Sequence, residues 1–236
     1  MVHFLWLLGA TLWLRPYVFV FLGVYLLLAT WHLGAGRALA FLCLGYLISW
    51  IAELCSIHWG FPFGEYLYIH ATSHQELWVA GVPFMDSLSY VFLAYASYTL
   101  ALLALCRGRE PGDGFAPEED EACLNSWRPV VLGAVLMVTL DIIIDPLALR
   151  GYRWFLVALI LIRVLQCLAT RVPARPVWDW GRRRFAGQAL LGPALYLGIL
   201  AFNLSVTFLI GETCLGWVGV FIYLPFFTWL ILRLIP

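Results

Sequence analysis

The sequence predicts an all-α protein, a polytopic transmembrane helical bundle, on three observations. Hydrophobic residues make up 63% of its 236 residues and charged residues only 12%, a balance far from that of a soluble domain. Mean hydropathy is +0.89. The apolar residues also gather in runs near the roughly 20 residues that cross a bilayer as a helix. About seven such runs consume the chain, so residues 1–236 read as a single integral membrane domain with no room for a separate soluble one.

Residues 1–14 are apolar but lack a basic leader and a small-residue cleavage site before Arg15-Pro16. They read as a short interfacial or partly inserted helix and not as a signal peptide. Spanning helices are predicted over 17–34, 38–55, 84–106, 129–146, 155–170, 188–210 and 216–235, each bounded by Arg, Gly or Pro. The fifth is short and carries Arg163 at its middle, which must snorkel, pair with an acidic group or pack against other helices. Between the second and third windows, residues 56–83 are too aromatic for a solvated linker and too rich in Gly and Pro to span. This stretch is expected to re-enter the bundle mouth or lie flat on the interface.

Net charge is zero, and all fourteen basic residues are arginine. With seven spans, ten arginines fall in loops on one side and three (Arg15, Arg150, Arg153) on the other, with Arg163 inside a span. Cytoplasmic loops are enriched in Lys and Arg, so the ten-arginine side is expected inside, with the N-terminus outside. The balance argues against nucleic acid as a partner. The six cysteines carry no CxxC or CxxH spacing and read as small core residues, not as a metal site or a disulfide framework.

Candidate chemistry lies in Thr139–Pro146, where Asp141 and Asp145 interrupt an apolar run four residues apart. That spacing puts both on one helix face, about 6 Å apart along the axis. Carboxylates at such depth face a bundle interior or wet cavity and mark a functional site, or they make a polar contact between helices. On the same topology Glu53, Asp86 and Glu212 join them in the outer half of the membrane. A buried carboxyl that holds its proton suits acid–base work on a lipophilic substrate. His58, His70 and His74 are better explained as interfacial polar residues than as metal ligands. Trp59, Tyr66 and Tyr68 stack on a polyene or a cation, or form an aromatic belt. Asn203 orients water or bonds a neighbouring helix. No Walker loop, GxGxxG, GxSxG or HExxH pattern is present.

Several stretches taken together resemble a known family: Arg15-Pro16-Tyr17-Val18-Phe19, Glu53, Gly60-Phe61-Pro62-Phe63-Gly64-Glu65-Tyr66-Leu67-Tyr68, Gly81-Val82-Pro83, and Asp141 to Pro146 followed by Trp154. They are similar to the membrane carotenoid-biosynthesis proteins that include the carotenoid 1,2-hydratases of gamma-carotene and of the C50 bacterioruberin pathway. The resemblance implies addition of water to the terminal C=C bond of an acyclic carotenoid end group. Such a step needs no redox cofactor and no metal. It implies Asp141 or Glu53 as proton donor, Asp145 as the group orienting water, and Tyr66, Tyr68 or Trp59 facing the cation. His58, Phe61, Phe63, Asp86, Trp154 and Asn203 complete the expected substrate-binding set. The expected setting is the cell membrane, in a prokaryote the inner membrane, beside other carotenoid-pathway enzymes. One departure stands out: Gly151-Tyr152-Arg153-Trp154 runs directly into Phe155-Leu156, where the family carries a further Gly-Val-Pro-type loop. An end-group cyclase or isomerase, and a non-enzymatic lipid-binding or transport protein, are the competing readings.

Overall fold

The computed structural model describes residues 2–68, 74–106, 120–144, 154–169, 177–180, 183–186 and 190–234. Seven long helices follow the predicted windows: α2 (Pro16–Leu33), α3 (Ala35–Trp59), α4 (Phe84–Leu105), α6 (Arg128–Ile144), α7 (Trp154–Ala169), α8 (Leu191–Leu209) and α9 (Thr213–Leu234). The N-terminal stretch forms its own helix, α1 (Val2–Leu14), and a single turn, α5 (Glu121–Leu124), precedes α6. Five helices, α2, α3, α4, α8 and α9, are long and apolar enough to cross a membrane. At 17 and 16 residues, α6 and α7 fall short of that length, and α6 runs to the edge of the described residues.

Helix α4 is the axis of the bundle. It is 89% buried, against 22–39% for the other four long apolar helices, and it touches α2, α3, α6, α7 and α8. Its polar side chains Ser87, Ser97 and Thr99 are buried with the rest of the helix, and small and polar residues in a spanning helix favour packing against other helices over contact with lipid. Local signals set the boundaries. Pro16 occupies the first turn of α2, where its missing N–H costs nothing. Gly34, at φ 86°, breaks α2 from α3, and Gly60, at φ 66°, ends α3 in the left-handed region that glycine favours.

The described parts of the 56–83 stretch, residues 56–68 and 74–83, pack on the helices. Pro62 and Phe63 are buried, and the Phe63 amide donates to Ser56 Oγ at 3.0 Å. Further on, β1 (Trp78–Val79) and β2 (Val82–Pro83) pair antiparallel around Ala80-Gly81. Both turn residues have positive φ, as a two-residue hairpin turn that matches strand twist requires. The hairpin is fastened to α3 by Trp50 Nε1 donating to the Val79 carbonyl at 3.1 Å, and to α1 by the Leu77 amide donating to Thr11 Oγ1 at 2.8 Å.

Two features correct the sequence reading. Cys106 and Cys123 form a disulfide, with Cα atoms 5.5 Å apart, joining the end of α4 to α5. They are not separate core cysteines. The Asp120 side chain accepts from the Cys123 amide at 2.9 Å and fixes the turn that presents that sulfur; a separation of 17 residues leaves no local signature of this. A second hairpin, which the sequence reading did not include, pairs β3 (Val177–Trp180) with β4 (Arg183–Ala186). Arg163 is held by Gln166 and lies 4.9 Å above the Trp127 ring, so it packs against neighbouring elements near the α5–α6 end.

Candidate active site

Glu53 is 3% exposed near the end of α3. Tyr66 and Tyr68 Oη both donate to its Oε2, Tyr68 at 2.8 Å, and Tyr90 Oη donates to its Oε1 at 2.9 Å. Extended backbone places residues two apart on one side, which brings Tyr66 and Tyr68 together, their rings edge to face at 5.3 Å. Tyr90 arrives from α4, with Phe63 stacked on its ring at 6.1 Å. A buried carboxylate costs several kcal/mol unless it is hydrogen-bonded, and here three phenols supply that compensation. Burial, then the Glu53 and Asp86 carboxylates, push the Tyr68 phenol up from its ordinary value, so it remains a donor.

Asp86 lies one helical turn before Tyr90 and is within hydrogen-bonding reach of Tyr68. It also lines a cavity of about 150 Å³ between α2, α4, α6 and α8. Asp141 from α6 and Asn203 from α8 line the same cavity, with Arg15, Tyr17 and Ser89 as its other polar members and Phe21, Phe92 and Phe202 as its aromatic wall. Phe202 joins the wall together, stacked on Tyr17 at 5.1 Å and edge-on to Phe21 at 5.5 Å. Arg15 Nε lies 3.5 Å from buried Glu76. Burial works against the Arg15 charge, yet the hydrogen bond to Tyr17 and the Glu76 and Asp86 carboxylates leave the guanidinium raised above its usual value.

The structure thus gathers Asp86, Asp141 and Asn203 at one cavity and ties Glu53, Tyr66, Tyr68 and Phe63 into the adjoining cluster. A match to the family model described as carotenoid biosynthesis protein extends over residues 14–158 and contains both groups, Asn203 apart. The chain belongs to the carotenoid biosynthesis protein family. No curated protein and no solved structure matches it. The family gives the chain a role in carotenoid biosynthesis, and its helices fit a lipophilic substrate and a bilayer setting.

The remaining expected residues stand apart from this cavity and cluster. Trp59 is 75% exposed and Phe61 49%, and His58 is exposed with its ring against Trp59; none of the three lines the cavity. His74 is exposed. Asp145, His70 and the Trp154 side chain lie outside the described residues. Sequence reasoning missed Tyr90 and the cavity role of Arg15. For Tyr90 the usable signal was its spacing, four residues after Asp86. Among the described residues, Cys106, Asp120 and Cys123 bring metal-ligating atoms within 4.8 Å of one another. Their sulfurs are bonded to each other and offer no thiolate.

Proposed function

We propose that this family member adds water to the terminal C=C bond of an acyclic carotenoid, with Asp141 as acid and Asp86 as base. The observation that carries the reading is two carboxylates from different helices lining one small, aromatic-walled cavity. The Asp141 carboxyl gives its proton to the less substituted alkene carbon, and the π pair forms the new C–H bond. The tertiary cation left behind is flanked by aromatic faces, which attract cations through the ring quadrupole. Water adds to it, and the proton that this water loses goes to the Asp86 carboxylate. One water is added and one tertiary alcohol formed, and proton exchange with solvent restores both carboxyls. Asp86 is given the base role because the Arg15 guanidinium lines the same cavity.

Glu53, proposed above as a possible donor, has its oxygens taken by three phenols and does not line the cavity. Its role in this scheme is to hold Tyr68 beside Asp86. Arg15, Ser89 and Asn203 give the cavity a polar side that retains water, which favours hydration over cyclisation, a reaction that must keep water from the cation. Turnover of an acyclic carotenoid tests the reading. Hydration raises the pigment's mass by one water, whereas a cyclised product of unchanged mass would overturn it.

A further inference from the structure

The cavity is small for its family's substrates. At about 150 Å³ it matches an engineered cavity known to hold one benzene molecule. One five-carbon isoprene end fits beside a water, and a polyene does not. The rest of the substrate must therefore leave through the cavity wall. Five of its apolar members are closed off: Val18, Met85, Phe92, Leu93 and Ile199 are all at most 5% exposed. The apolar members that are not buried are Tyr17, 36% exposed, and half-buried Phe21 on α2, and half-buried Phe202 on α8, whose ring stacks on Tyr17 and meets Phe21 edge-on. Beyond them both helices turn apolar side chains outward, Val20 and Leu27 from α2, Leu197 and Val206 from α8. Both are long and apolar enough to span the bilayer.

We propose that an acyclic isoprenoid inserts only its terminal unit, sideways from the bilayer, through the seam between α2 and α8 that the Tyr17–Phe202 pair closes. The remaining chain stays in lipid along that seam. The identity of the end group rests on the hydration reading; the route does not. Recognition is then of the last isoprene unit, and neither chain length nor the far end of the molecule is read.

Two photoreactive acyclic isoprenoids test the route on the full chain in lipid nanodiscs, one with a diazirine at the terminal unit and one with it at mid-chain. The terminal probe is expected to label cavity residues such as Met85 and Phe92, and the mid-chain probe the outer faces of α2 and α8 near Tyr17 and Phe202. Mid-chain labelling of α3 or α9 instead would overturn the seam. Turnover supplies an independent check. For acyclic alkenes of two or more isoprene units that share one end but differ in length, kcat/KM should agree within about threefold, and Phe202→Trp, which narrows the seam they all cross, should lower it about tenfold at every length. A steep length dependence in the unaltered protein, or an unchanged kcat/KM in the variant, would contradict the proposal. If no alkene is hydrated, the reaction assignment falls while the labelling pattern still decides the route.

Discussion

Asp141 and Asp86 reach one cavity from separate helices, so single substitutions resolve their roles. Asp141→Asn removes the proposed proton source and is expected to abolish hydration in protein that still inserts. Asp86→Asn should lower kcat by about 10²–10⁴-fold, the usual contribution of a general base. Glu53 differs because it is an anchor. Tyr90→Phe removes one of its three donors and should cost about 1.5–3 kcal/mol, the range for a hydrogen bond to a charged group, read as a lower melting temperature. The Tyr68 phenol stays protonated above the ordinary tyrosine value of about 10, while the unfolded chain releases that proton. Stability therefore falls as pH rises past that value, and Tyr68→Phe should flatten the alkaline decline. Glu53, Tyr66, Tyr68, Asp86, Asp141 and Asn203 were legible from sequence because polar groups in apolar runs are costly and need a reason. Trp59, Phe61 and His58 drew attention through the aromatic stretch and the family resemblance, and neither says which way side chains at the end of α3 and just beyond it point.

At the level of elements, the seven helices were legible because apolar length and Gly, Pro and Arg boundaries are local signals. Their packing was not. Gly192 shows why: a Cβ built there would collide with the Thr99 hydroxyl and lie 2.5 Å from Thr99 Cβ, so α8 approaches the central helix only because this residue lacks a side chain. Gly192→Ala is expected to lower thermal stability, while Gly198→Ala, with nothing within 4 Å of its added Cβ, gains about 1 kcal/mol of helix propensity and should not. Equal melting temperatures for the two variants would contradict this packing. The β3–β4 hairpin was missed among clustered arginines, although valine and tryptophan at 177, 178 and 180 favour strands and a glycine follows them in the sequence.

For the whole molecule, orientation and redox state are linked. The arginine bias puts the Cys106–Cys123 end of the bundle in the cytoplasm, where thiols are normally kept reduced. Thiol trapping in intact cells decides the matter: alkylation of both Cys106 and Cys123, in addition to the four free cysteines, agrees with the arginine count, and a trapped disulfide places that end outside and the candidate cavity inside. A disulfide links side chains distant in sequence, so no local spacing announced it. The proposed catalysis holds in either orientation, since it needs only water and a substrate supplied from lipid, and both are present at either face of a membrane. The central claim is hydration at Asp141. The most direct test is expression in membranes of a host that accumulates an acyclic carotenoid, in water enriched with heavy oxygen, followed by mass spectrometry of the pigments. The account predicts a product heavier by one labelled water that is absent from the Asp141→Asn control. Unchanged pigment from correctly inserted protein, or labelled product that persists in that control, would contradict it.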